Sequence, residues 1–233
     1  MLVGLSIVIV MFGSGSPVPS ATPSLDARHL IAGFLFGSTG ALIALSPVGK
    51  ISGAHINLAV TLGFLLMQKL DFPVALGSVL AQLAGGILGS LPLLAWGSLG
   101  QSVSYGATSP GQGYFTQAAL LGEVANTITM VTLLTAFLAF RRIRPFTRAL
   151  FRPLNVIMVY LKAAVSGTST NPARSLGPAL ISGQWHGKWV YWAGPQTGIL
   201  LALVGCSFLA RRIKVAKLYH FDSDRDGQFR GEC

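Results

Sequence analysis

Ser52-Gly53-Ala54-His55-Ile56-Asn57-Leu58-Ala59-Val60-Thr61-Leu62-Gly63 aligns without a gap to Ser166-Gly167-Thr168-Ser169-Thr170-Asn171-Pro172-Ala173-Arg174-Ser175-Leu176-Gly177. The offset is constant, 171 − 57 = 114 and 166 − 52 = 114, close to half of the 233 residues. Ser, Gly, Asn, Ala, Leu and Gly match at equivalent positions, and Thr61 faces the similar Ser175. A second echo, Gln82-Leu83-Ala84-Gly85 against Pro195-Gln196-Thr197-Gly198, lies at an offset of 113. The chain reads as a duplication, and its function follows from what is duplicated.

Outward from the repeat, the chain is 52% apolar and only 10% charged. A soluble domain carries roughly 25% charged residues. The apolar runs are also long, and about 20 such residues cross a hydrocarbon core. Six spans are expected, at about 1–15, 28–47, 73–97, 115–140, 153–167 and 189–210. The first is short and begins at Met1; a signal peptide is its alternative, but no positive lead precedes it.

The net charge of +10 is a matter of position, not of nucleic-acid binding. Arg141, Arg142, Arg144, Arg148 and Arg152 fall between the fourth and fifth spans, and Arg211, Arg212, Lys214 and Lys217 follow the sixth. The loops around 16–25 and 98–114 carry no charge. The positive-inside rule then puts both termini and the 141–152 loop in the cytoplasm. The two cysteines, Cys206 and Cys233, suggest neither a disulfide framework nor a thiolate metal site.

Three spans separate the two copies, so the copies enter the membrane from opposite sides. That is an inverted repeat, about 1–110 against about 115–213, in a single domain. Asn57 and Asn171 are strong N-cap residues, and Pro172 stands where its missing N–H costs nothing. Apolar residues continue to about Leu66 and Ile181, giving roughly 15 Å of helix in each copy, half a bilayer. Two half-helices would meet N-terminus to N-terminus at the centre. Non-helical backbone at that depth survives only in protein or against water, so the segment before each Asn is expected to line an aqueous path.

Ser-Gly-Ala-His-x-Asn-x-Ala-Val-Thr paired with Asn-Pro-Ala-Arg-Ser resembles the aquaporin (major intrinsic protein) family over nearly the whole chain. The resemblance implies an all-α membrane protein, with six transmembrane helices and two re-entrant half-helices. It implies a bacterial-type passive water channel in the inner (plasma) membrane, excluding protons and ions and forming a homotetramer with a pore in each subunit. No cofactor, metal or nucleic-acid partner is implied; water, small neutral solutes and membrane lipid are the partners. Small residues such as Gly85, Gly86 and Gly89 suit close helix approach.

Residue by residue, the resemblance puts the midplane motifs at Asn57-Leu58-Ala59 and Asn171-Pro172-Ala173, with the two Asn amides aimed at the water. The outer constriction falls to Arg174, to Thr168 three before Asn171, to Val159 fifteen before Arg174, and to Phe36. Val159 stands where water channels usually carry His, so glycerol, hydrogen peroxide or ammonia is expected to share the path. Ser175, Ala179, Tyr191 and Trp192 follow the water-channel pattern instead. Leu58 replaces the usual Pro, at a position where the backbone N–H is expected to be unpaired. Glu123 is expected to accept from backbone N–H groups near 168–170, and His55 to fix the first loop. Lys162 is expected at the outer vestibule or snorkelling to headgroups.

Asp222-Ser223-Asp224-Arg225-Asp226-Gly227 fits the opening of an EF-hand loop, but Cys233 stands at its twelfth position, where a bidentate Glu is needed. A flexible cytoplasmic tail over 214–233 is the expectation. Three other readings stand beside this one. A glycerol or other small-solute facilitator would need only a wider filter. A secondary transporter would need coupling acids near the helix breaks, and Glu123 is the only intramembrane acid. A non-conducting adhesion-like protein is disfavoured by the retention of both Asn and of Arg174.

Overall fold

The computed structural model describes residues 1–140 and 142–213. Its architecture is helical: α1 (Leu2–Phe12), α2 (Leu25–Leu45), α3 (Leu58–Leu66), α4 (Phe72–Leu88), α5 (Thr116–Ala139), α6 (Thr147–Ser166), α7 (Pro172–Ser182) and α8 (Val190–Ala210), with shorter helical turns between them. The tail over 214–233 and its Asp222–Gly227 stretch lie outside the described residues.

Local chemistry sets the boundaries. The Ser24 side chain accepts from the Ala27 N–H to open α2, whose first turn also carries Asp26. Asn57 opens α3 by accepting from the Ala59 N–H, and Asn171 opens α7 by accepting from the Ala173 N–H. At the far end of α5, the Arg144 Nε donates to the Leu138 carbonyl, satisfying one of the orphan acceptors of the last turn.

Among the described residues, four helical stretches are long and apolar enough to cross a membrane: Leu25–Leu45, Phe72–Gln101, Thr116–Ala139 and Val190–Leu209. The other two expected spans differ from the sequence reading. α1 is apolar but only 11 residues long. α6 begins at Thr147, six residues before the apolar run expected from 153. Its first two turns hold Arg148 and Arg152, so hydropathy alone hides them, and Pro153 lies inside the helix. The third span also loses its regular helix early. α4 ends at Leu88, and a 3-10 stretch over Leu91–Trp96 carries the chain onward.

Leu42, Leu80, Phe115, Leu121, Ile157, Val204 and Phe208 are all exposed. An outward surface this rich in large apolar side chains suits lipid, not water. Inside, Ala59, Val60, Phe64, Met130, Leu134, Met158 and Ile199 form one buried cluster around the half-helices. The most extensive pairings are α5 with α8 and α2 with α6.

α7 crosses α4 where glycine is required on both sides. A Cβ on Gly86 would lie 2.6 Å from the Ala173 carbonyl oxygen, and one on Gly177 would collide with the Gly86 carbonyl. Of the other small residues expected at helix contacts, Gly89 packs on Met1 and Gly85 meets open space.

The duplication persists in the backbone. Gly53 and Gly167 both cap in the left-handed region, at φ 74° and 75°. Ala54 and Thr168 follow at φ 54° and 49°, and Ile56 and Thr170 at 36° and 50°. The Ser52 Oγ accepts from the Ala54 N–H at 3.3 Å, and the Ser166 Oγ accepts from the Thr168 N–H at the same distance. Left-handed non-glycine residues persist only where surroundings over-determine them, typically at functional sites. Here the strain occurs twice, at matching positions.

Candidate functional site

The two half-helices start face to face. The Asn57 Nδ2 donates to the Thr170 carbonyl at 3.1 Å, and the Asn171 Nδ2 donates to the Ile56 carbonyl at 3.0 Å. Each side-chain oxygen caps its own helix, Asn57 Oδ1 at 2.8 Å from the Ala59 nitrogen and Asn171 Oδ1 at 3.2 Å from that of Ala173. A carboxamide nitrogen carries two hydrogens, so each keeps one beyond its loop carbonyl. Among the described residues, that hydrogen of Asn57 meets the weak acceptor Met130 Sδ at 3.8 Å. Both helix N-termini add positive potential at this point.

Leu58 corrects the sequence reading. Its N–H is not unpaired, because it donates to Asn171 Oδ1 at 3.3 Å. Pro172, at the equivalent position, has no N–H to return to Asn57. Asn171 Oδ1 therefore accepts two backbone donors, Leu58 from across the repeat and Ala173 in its own half-helix.

A cavity of about 520 Å³ runs past this junction. Its walls include Asn57, Asn171 and His55, and also Phe36, Val159, Thr168 and Arg174. All four expected constriction residues thus share one space. Their levels differ. A Cβ at Gly33 would touch Val156 and Val159, whereas one at Gly37 would touch Asn155. Phe36 therefore sits nearer the level of Asn155, with its ring over Gly4 of α1. Ala32 lines the cavity too, and Gly33 faces Val159, so the wall here is small and apolar.

Arg174 is buried, and its Nη1 donates to the Gly106 carbonyl at 2.7 Å. The segment supplying that carbonyl is strained, with Ser104, Tyr105 and Gly106 successively left-handed at φ 48°, 52° and 74°. Thr108 secures it further through a 2.8 Å hydrogen bond between its Oγ1 and the Ser175 Oγ. Thr168 donates from Oγ1 to the Met158 carbonyl at 3.4 Å.

The loops are fastened differently. Glu123 is 0% exposed, and its carboxylate accepts from the Ser169 N–H at 2.9 Å, the Thr170 N–H at 2.7 Å and the Ser166 hydroxyl at 2.8 Å. The Tyr191 hydroxyl, also buried, donates to the Ser166 carbonyl at 2.8 Å. In the first loop, His55 Nδ1 lies 3.2 Å from Thr61 Oγ1, and the imidazole stacks on Phe64 at 4.7 Å. Gln82 Nε2 donates to the same Thr61 hydroxyl at 2.8 Å.

Two residues at the Arg174 end of the cavity went unnoticed in the sequence. His29 lines the cavity, its ring 5.1 Å from that of Phe12. It lies seven residues before Phe36, two turns on the same helical face, which was the available signal. Lys188 is buried in the turn before α8, and its Nζ donates to the Thr108 carbonyl. No periodicity marks it. Lys162 is half-buried on α6 and is not among the cavity walls.

Comparison with known proteins agrees with this architecture. Residues 4–205 match the family model of the major intrinsic protein. The chain is 35% identical over 213 residues to aquaporin PIP1-6 of Zea mays, covering 87% of this chain and 72% of that protein. It is 33% identical over 211 residues to aquaporin-6 of Rattus norvegicus, covering 86% and 71%. Against the lens fiber major intrinsic protein of Gallus gallus it is 35% identical over 168 residues, covering 68% and 61%. Among solved structures, the aquaglyceroporin from Plasmodium falciparum superposes with a TM-score of 0.62 at 21% identity, covering 90% of this chain and 93% of that one. That last likeness concerns the fold alone. Two facing half-helices, a shared cavity and these matches converge on one conclusion: the chain belongs to the major intrinsic protein family.

Proposed function

We propose that this chain is a passive transmembrane channel for water that also admits small neutral solutes such as glycerol, hydrogen peroxide or ammonia. The observation that carries the reading is the pair of Asn carboxamides on the cavity wall, each bound through one hydrogen to the opposite loop. A water at that level accepts from both amides through its oxygen and turns its protons toward the exits. The proton wire is interrupted there, and the two helix N-termini repel cations. Arg174 adds a fixed positive charge nearer one end. Family membership supports a channel and gives no support to catalysis.

Val159 facing Gly33 favours the wider-filter variant of the same reading, because neither residue narrows the path or bonds a solute. The orientation we propose has both termini and the Arg-rich connection in the cytoplasm. Arg142, Arg144, Arg211 and Arg212 support it, and Arg212 lies over Phe140 and Phe208 at that end. The homotetramer and a bacterial-type plasma membrane are proposals resting on the motif resemblance; the relatives named above are from a plant and from animals. Shrinkage and re-swelling of reconstituted vesicles in separate sucrose, glycerol and urea gradients test the function. Accelerated water efflux with measurable glycerol entry is expected; water efflux equal to that of protein-free vesicles would overturn it.

A further inference from the structure

We propose that Lys188 is a positioning residue of the cavity mouth: it holds the strained 104–108 strap in place and thereby the carbonyl on which Arg174 rests. The inference rests on the channel reading above. Two cations grip this strap two residues apart, Arg174 at the Gly106 carbonyl and Lys188 at the Thr108 carbonyl. The strap also forms part of the cavity wall, from Gly106 to Thr108. Ser104 and Tyr105 adopt left-handed backbone without being glycine. Such backbone persists only where its surroundings over-determine it. The strap is also fastened by the Thr108–Ser175 hydroxyl pair, by the Gly111 N–H on the Val165 carbonyl and by Tyr105, buried against Leu5, Ile9 and Leu93, none of which reaches the Thr108 carbonyl that Lys188 holds.

Lys188 is a buried ammonium whose partners here are a neutral carbonyl and the face of Tyr191, 5.6 Å from the ring centroid. The groups around it are Arg174 on α7 and Tyr191 on α8. Glu123 on α5 acts electrostatically on both of those, His186 stands exposed two residues earlier, and His29 lies on the same cavity. Burial first, and the Arg174 charge second, bring the Lys188 ammonium down to about 8. It is charged below that pH and neutral above it. A neutral amine keeps an N–H but loses the charge assistance that makes such a bond roughly twice as strong. Between pH 7 and pH 9 the charged fraction falls from about nine-tenths to about one-tenth. The strap is then held at the Arg174 end and by neutral bonds only, and the mouth widens for molecules larger than water.

The test measures glycerol and water flux in proteoliposomes between pH 6.5 and 9.5, for the parent chain, Lys188→Met and Lys188→Arg. The glycerol-to-water ratio of the parent is expected to rise about threefold or more with pH, the scale of losing the charged part of one hydrogen bond. Lys188→Met is expected to show the high ratio at every pH, and Lys188→Arg, which stays charged, the low one. A flat parental profile with water flux intact overturns the inference, as does a Lys188→Met protein that keeps the pH response. Glycerol flux undetectable in all three proteins overturns it equally. If Lys188→Met does not fold, the parental profile against Lys188→Arg decides alone. Absence of water flux in the parent would instead bring down the channel reading itself.

Discussion

Replacing Leu58 by proline probes the centre of the pore without touching either Asn. The substitution deletes the 3.3 Å bond from the Leu58 N–H to Asn171 Oδ1. A neutral bond of that kind is worth about 1 kcal/mol net. Asn171 still keeps its cap on Ala173 at 3.2 Å and its donation to Ile56 at 3.0 Å, so its carboxamide stays oriented. Asn57, at φ −147° and ψ 120°, already has the extended backbone that a following proline demands, and Asn171 before Pro172 is nearly the same at φ −144° and ψ 107°. Proline at this first helical position recovers about 0.4–1 kcal/mol through the unfolded chain. Leu58 is also 6% exposed, and the smaller ring forfeits part of its packing. The balance is a loss of about 1 kcal/mol, or about 2–4 °C in melting temperature for a chain of this size. The oriented donors persist, so osmotic permeability should stay within about a factor of two, less than about 0.4 kcal/mol of barrier. Stopped-flow light scattering on proteoliposomes, normalised to protein, measures it. A tenfold change in either direction would show that the Leu58 N–H sets the position of Asn171.

Val159→His should narrow the path opposite Gly33 and add a hydrogen-bonding ring, lowering glycerol flux much more than water flux; an unchanged ratio in vesicles removes Val159 from the filter. Thr168→Cys should make water flux sensitive to mercurials while the parent is only weakly inhibited, since Cys206 lies away from the cavity walls; strong inhibition of the parent contradicts the wall assignment. Glu123→Gln replaces one acceptor with a donor facing a backbone N–H. It should cost about 2 kcal/mol or more, lowering the melting temperature in detergent by about 4–8 °C.

What the sequence disclosed divides by range of interaction. Asn57 and Asn171 announce their helices because an N-cap acts within three residues, and the offset of 114 gives the two loops one geometry. The expected role of Glu123 was reachable by resemblance, and the structure does bring its carboxylate to Ser169 and Thr170. The Leu58 pairing was not legible, since it joins segments 113 residues apart through an atom whose partner depends on how two half-helices abut. The level of Phe36 relative to Val159 depends on the α2–α6 packing at Gly33 and Gly37, which no linear spacing encodes. Lys188 was invisible because a single lysine in a polar turn looks solvated until Thr108 folds over it. The start of α6 was missed for the opposite reason: Arg148 and Arg152 interrupt the hydropathy but not the helix.

The unequal fastening of the two loops has a consequence in time. Glu123 clamps one loop with a carboxylate spanning two amides and a hydroxyl, while the other is held by the Ser52 hydroxyl and by the His55 imidazole against Thr61. Local opening is governed by the bonds that must break together, so the loops should breathe at different rates. The Ser169 and Thr170 amides should be among the slowest to exchange with deuterium, and the Ala54 amide, held by the Ser52 hydroxyl at 3.3 Å, among the faster. A pore that is two-fold in shape is thus lopsided in stiffness. Thermal motion at its centre is expected to be larger on the Asn57 side, where transient constriction of the water file should begin.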